Sequence, residues 1–228
     1  MNIIAHRGFN DTYPENSVKA FQDAIRKNCK YLETDVRLTK DNVFVLFHDD
    51  TIEGKAINSL TYAELTAIQP VDTLESLMKI VTSENVILFD LKFTTEDEIE
   101  IFMSYMIDHH YLPYHRKSID KDILQVTTKL VKKLQLYLIQ RYSHGFYQIS
   151  WLPDSDSDLE ANLNLFDHAN ILMHDYRYFL NNPDNAKKVQ DISVYVYTVN
   201  QLNTIKKLTG LPNHLIKGIV TDKSEFLR

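Results

Sequence analysis

Glu33 and Asp35 stand two residues apart in the run Tyr31-Leu32-Glu33-Thr34-Asp35-Val36, which reads as a strand. A spacing of two puts both carboxylates on the same face. Held about 4 Å apart they would repel by roughly 4 kcal/mol at an effective dielectric of about 20, so a fold keeps such a pair with a cation or a shared proton. The competing reading is a polar strand end facing solvent. Asp90 bears on the choice. It follows Val86-Ile87-Leu88-Phe89, a strongly apolar run, and a charge at that point faces a site or is buried at heavy cost. If the two strands are neighbours, Asp90 reaches Glu33 and Asp35. Three carboxylates without a cysteine suit a hard cation, Ca2+ or Mg2+, better than zinc. Lys92, two residues beyond Asp90, would then serve a phosphate or balance charge.

His6 ends the first apolar run, beside Arg7 and Gly8, and His48 ends another, followed by Asp49-Asp50. A lone histidine is usually structural or solvated. Two of them at strand ends near a metal site could supply an acid and a base near neutral pH. Arg7 offers a planar fork for phosphate oxygens, and Gly8 lets a ligand approach the backbone. The other seven histidines, including His109, His110, His144 and His174, lack such company. The alternating Asp154-Ser155-Asp156-Ser157-Asp158 lacks the glycine and terminal glutamate of a calcium-binding loop, and reads as a solvated loop leading into a helix.

These residues need a scaffold that brings strand ends together. Short apolar runs alternate with segments of helical period, the pattern of βα units on a parallel sheet. Eight strands are expected near residues 3–5, 31–36, 86–91, 123–126, 147–151, 171–173, 194–199 and 218–221. A further strand near 43–47 would pair with the second as a hairpin. Helices are expected over 16–27, 96–109, 124–138, 183–190 and 202–208, the 124–138 pattern overlapping the strand before it. The pattern predicts an α/β fold of the (β/α)8 TIM-barrel type, formed by one domain spanning residues 1–228. Six prolines and five glycines, unclustered, mark no linker.

Composition excludes several classes. A 44% apolar fraction with 11% aromatics argues against disorder. A net charge of -6 offers no basic face for nucleic acid. No apolar run approaches the length that spans a bilayer. One cysteine, Cys29, forms no internal disulfide, and no signal segment is visible, so a cytoplasmic protein is expected.

The stretch Ile4-Ala5-His6-Arg7-Gly8, then Pro14-Glu15-Asn16-Ser17 with Ala20-Phe21, resembles the opening of glycerophosphodiester phosphodiesterases. Glu33-Thr34-Asp35-Val36, Thr39-Lys40-Asp41 and His48-Asp49 follow in the family's order. Thr73-Leu74-Glu75, Asp90-Leu91-Lys92, Tyr197-Thr198-Val199-Asn200 and Gly218-Ile219-Val220-Thr221-Asp222 match more weakly, and residues 95–190 match poorly. The resemblance implies a barrel of the PLC-like phosphodiesterase type that cleaves glycerophosphodiesters to sn-glycerol 3-phosphate and an alcohol. It implies that His6 and His48 are the catalytic acid and base, and that Arg7 and Lys92 contact phosphate. Glu33, Asp35 and Asp90 would ligate a divalent cation, Ca2+ or Mg2+, with Asn16 supporting the site from the helix start. The partner expected is a small-molecule phosphodiester. Three departures stand out. The third acid is Asp90 where the family commonly has Glu, Tyr197 replaces a tryptophan, and the segment after His48 is short and lacks the usual arginine. A sphingomyelinase D-like lipid phosphodiesterase, a binding-only barrel and an unrelated metal-free barrel are the rival readings.

Overall fold

The structure is a computed structural model that describes residues 1–112, 120–141, 147–190 and 192–227. Strand β1 (Asn2–Ala5) leads into helix α1 (Val18–Arg26), and β2 (Tyr31–Leu38) and β3 (Phe44–Leu46) form a hairpin. An insertion follows, with β4 (Thr51–Ile52), β5 (Lys55–Ala56), α2 (Tyr62–Ile68) and α3 (Leu74–Met78). The chain then alternates through β6 (Val86–Leu91), α4 (Glu96–Asp108), β7 (Asp122–Thr127), α5 (Val131–Arg141), β8 (Tyr147–Leu152) and α6 (Asp156–Ala161). It finishes with β9 (Ile171–Asp175), α7 (Tyr176–Asn181), β10 (Ser193–Tyr197), α8 (Leu202–Thr209) and β11 (Ile216–Thr221).

Eight of these strands are parallel, in the order β1-β11-β10-β9-β8-β7-β6-β2, and β1 pairs with β2 to close the barrel. The predicted TIM-type fold is therefore observed, with β3 added antiparallel at the edge of β2. All eight expected parallel strands are present. The overlap at 124–138 resolves with the strand running to Thr127 and the helix starting at Val131. Leu124 is fully buried within the sheet, so residue burial overrides the helical period there. The helix expected at 183–190 is a 3-10 helix over Pro183–Val189, capped by Asn182. Four short helices, α2, α3, α6 and α7, were not predicted by position, although a helix was expected after the Asp-Ser run.

Strand alternation divides the core into two. Ile4, Val86, Leu88, Ile123, Ile171, Met173, Tyr195 and Val220 fill the barrel interior. Leu32, Val36, Ile87, Phe89 and Leu91 face outward into the larger shell, packed with Phe21, Phe102 and Met106 of the helices. Along β6 the inward positions are Val86, Leu88 and then Asp90, so the apolar floor gives way to an acid at the C-terminal end of the strand. The insertion carries its own apolar cluster of Val45, Ile52, Ile57, Leu60, Leu65 and Val71. It flanks His48. His144 lies outside the described residues.

Candidate active site

The C-terminal ends of the parallel strands surround a cavity of about 400 Å³. His6, Arg7, Glu33, Asp35, His48, Asp90 and Lys92 all line it, with Gln125, Leu152, Met173, Tyr197, Thr198 and Val220 completing the wall. The seven residues singled out in the sequence thus share one cleft. Parallel pairing of β2 with β6 sets Asp35 directly across from Asp90, and Glu33 lies one inward position below Asp35.

The three acids offer oxygen atoms that all lie within 4.8 Å of one another, and all three residues are buried. Burial pushes the Glu33 carboxyl up to about 8, with the charges of Asp35 and Asp90 adding to the effect. Burial also raises Asp90 above the usual carboxylate range, although Lys92 opposes it. Asp35 differs. Burial acts to raise it, but Lys92, Arg7 and the Asn16 amide overcome this and hold it low. Lys92 Nζ lies 2.6 Å from Asp90 and 3.1 Å from Asp35. Against its own burial, those two carboxylates hold the ammonium well above the usual lysine range.

Such a cluster of buried carboxylate oxygens fits a hard divalent cation. Two unit cations, from Arg7 and Lys92, face three carboxylates, and the oxygens remaining are of the type Ca2+ and Mg2+ prefer.

Arg7 and Gly8 follow β1 in left-handed conformations, with φ of 52° and 75°. This tight bend turns the Arg7 amide onto Glu33 Oε2 at 2.8 Å and its guanidinium onto Glu15 at 2.8 Å. Arg7 Nε lies 3.0 Å from Asp35 Oδ2 but is not aligned for a hydrogen bond. Gly8 is required by space as well as by φ, because a Cβ there would stand 2.6 Å from that of Ala20. Asn16, also left-handed at φ 54°, donates from Nδ2 to Asp35 Oδ2 at 2.8 Å. Its Oδ1 accepts from Thr34 and from the Asp35 amide, so the carboxylate is fixed from the loop before α1.

His6 and His48 differ in setting. His6 is held by its amide on the Thr221 carbonyl at 3.0 Å and by Nδ1 against Asp222 Oδ1 at 2.7 Å. Burial lowers its pKa, but the Asp222 hydrogen bond and the Glu33 charge more than offset this against Arg7, leaving it above the usual histidine value. His48 is more exposed, and its ring pairs with the neighbouring, exposed Asp49 at 2.8 Å. Its backbone is pinned by Arg37, which donates to the His48 carbonyl through Nε and Nη2.

Several site residues escaped the sequence reading. Gln125 sits inward on β7 across from Asp90, and period-two counting from Ile123 could have flagged a polar residue on the interior face. Glu15 and Asp222 lay inside quoted motifs without a role. His174 is buried, but it faces away from the cleft and packs on Tyr178 at 4.7 Å between ring centres.

Oxygen donors for a hard cation and basic groups for an anion share one cleft on a TIM-type barrel, an arrangement suited to cation-assisted chemistry on a phosphate ester. Residues 6–225 match the model of the glycerophosphoryl diester phosphodiesterase family, and the chain belongs to that family. YhdW of Bacillus subtilis (strain 168) is 24% identical over 252 aligned residues, which cover 100% of this chain and 96% of that protein. The crystal structure of a glycerophosphodiester phosphodiesterase from Thermotoga maritima superposes with a TM-score of 0.75 at 20% identity, over 98% of this chain and 95% of that one. A phosphodiesterase from Oleispira antarctica, solved with the product sn-glycerol-3-phosphate, gives a TM-score of 0.75 at 19% identity, over 100% and 95% of the two chains.

Proposed function

We propose that this chain hydrolyses glycerophosphodiesters to sn-glycerol 3-phosphate and an alcohol, using a divalent cation held by Glu33, Asp35 and Asp90. The observation that carries the reading is the convergence of those three acids with His6 and His48 on one cavity. The sn-glycerol-3-phosphate bound by the Oleispira antarctica relative supports the choice of substrate class. A bound Ca2+ or Mg2+ would supply Lewis-acid neutralisation of the phosphodiester oxygens. Arg7 and Lys92 lie close enough to that cluster to hold the remaining phosphate charge. One histidine takes the proton of the attacking hydroxyl, from water or from the substrate's glycerol, and the other gives a proton to the departing alkoxide. The whole of residues 1–228 acts as one barrel unit on this reading, and the single buried thiol of Cys29 suits a cytoplasmic setting. Among the described residues, no helix is long and apolar enough to cross a membrane.

The test is release of sn-glycerol 3-phosphate from glycerophosphocholine and glycerophosphoethanolamine with Ca2+, Mg2+ or EDTA. Release that EDTA abolishes, and that His6→Ala or His48→Ala lowers by at least about 10² without loss of fold, is the expected result. Turnover of choline lysolipids in preference to glycerophosphocholine would redirect the assignment to the lipid phosphodiesterases. Near wild-type rates in either histidine variant would remove that residue from the mechanism.

A further inference from the structure

In the closed barrel the first strand, β1, pairs with the last, β11, and that pairing places Asp222 beside His6 although 216 residues separate them. Asp222 receives three side-chain contacts. Its Oδ1 takes His6 Nδ1 at 2.7 Å and Asn10 Nδ2 at 3.0 Å, while its Oδ2 accepts from Asn200 Nδ2. The orientation of Asn200 is not arbitrary. Its Oδ1 lies 3.0 Å from the Asp222 amide, which can only donate, and 3.0 Å from Thr221 Oγ1. The Asn200 amide nitrogen therefore has to face the Asp222 carboxylate. Asp222 is held below the usual carboxylate range, burial being outweighed by His6, Asn200 and Asn10. A carboxylate so surrounded only accepts, so the hydrogen of the third contact belongs to His6 Nδ1.

We propose that Asp222, braced by Asn200 and Asn10, is a positioning residue that locks His6 in the Nδ1–H tautomer and presents Nε2 to the cleft. This rests on the role given to His6 above. In the neutral ring, Nε2 is then the bare acceptor. It takes one proton as a substrate or water O–H bond breaks and an Nε2–H bond forms, and it returns that proton in the reverse sense. Asp222 stays ionised throughout and faces the imidazolium, as in other carboxylate–histidine pairs. The charged groups around the ring are Asp222, Glu33 and Arg7. Among the described residues His48 has no equivalent brace, since its partner Asp49 is 71% exposed and lies next to it in sequence. The two histidines are thereby made unequal, with the carboxylate facing His6 braced by two asparagines and the one facing His48 exposed.

The experiment is 15N NMR of histidine-labelled protein, with the His6 signals assigned by their loss in His6→Gln, alongside kinetics of Asp222→Asn. The wild type is expected to show a protonated Nδ1 and a bare Nε2 in the neutral ring. Asp222→Asn should shift the ring toward the Nε2–H form and lower kcat by on the order of 10²–10⁴. KM should stay within about threefold, because orientation of the proton carrier is lost and ground-state binding is not. A wild-type ring in the Nε2–H form overturns the proposal, and needs no variant to fold. So does an Asp222→Asn protein whose kcat stays within about threefold of wild type. A wild type without turnover, yet with the Nδ1–H ring, overturns the catalytic reading of the site while supporting the coupling of Asp222 to His6.

Discussion

Lys92 shows how a single side chain can both support and compete with a cation. Its ammonium lies against Asp35 Oδ1 and Asp90 Oδ2, and both residues belong to the acid cluster. A unit charge about 4 Å away is worth roughly 4 kcal/mol at an effective dielectric of about 20. Removing it leaves Arg7 as the ion-pair partner of the acid cluster, through Asp35. Lys92→Met should therefore bind Ca2+ or Mg2+ at least about tenfold more tightly by titration calorimetry. The same change should lower turnover by about 10²–10³, as expected for losing one preorganised charge at the phosphate. Weaker cation binding in Lys92→Met would mean that Lys92 does not share the cation's oxygens. At this scale the sequence was legible where chemistry sits on one strand. Glu33 and Asp35 were paired by their spacing of two, and Asp90 by its intrusion into an apolar run. Asp222 was not legible as a partner of His6, because no local periodicity links residues brought together only by barrel closure.

The eight barrel strands were readable as elements because buried parallel strands are short, nearly continuous apolar runs. Their neighbours were harder. α2 and α3 span only seven and five residues, too short to show a helical period. Their start signals were nevertheless present, in the capping boxes Thr61 with Glu64 and Thr73 with Ser76. Element junctions matter most at the exit of β1, where two left-handed residues swing Arg7 onto Glu33. Gly8→Ala tests that bend. The added Cβ would meet the Ala20 Cβ at 2.6 Å and its backbone carbon at 2.8 Å, so α1 has to move. Strain at positive φ and overpacking together should destabilise the protein by roughly 2–5 kcal/mol in urea unfolding. The displacement of Arg7 should lower kcat/KM as well. A variant of wild-type stability would show that α1 yields at no cost and that the bend does not depend on glycine.

For the whole molecule, the barrel's apolar floor and acidic mouth set stability against function. Glu33 is raised to about 8 by burial and by its acidic neighbours, from an ordinary value of 4.5. The folded, cation-free chain thus binds more protons at this group than the unfolded chain does. Unfolding free energy then falls as pH rises, since its slope follows the protons bound in the unfolded state minus those in the folded state. Glu33 contributes no penalty below its unfolded value and its full penalty above about 8. Asp90, also raised, acts in the same sense, whereas Asp35, held low by Lys92 and Arg7 against its burial, acts in the opposite one. A divalent cation that replaces those protons stabilises the folded state by mass action. It does so most where the carboxyls ionise at least expense. The rise in melting temperature on adding Ca2+ or Mg2+ in place of EDTA should therefore be larger at about pH 8 than at about pH 5. Glu33→Gln, which keeps the volume and removes the titration, should flatten that difference and should make the EDTA-treated protein more stable than wild type at about pH 8. A cation-induced rise of equal size at both pH values would detach Glu33 from the cation. A Glu33→Gln protein less stable than wild type at the higher pH would show that this carboxylate is retained for the fold, with the bond from the Arg7 amide outweighing repulsion from Asp35 and Asp90.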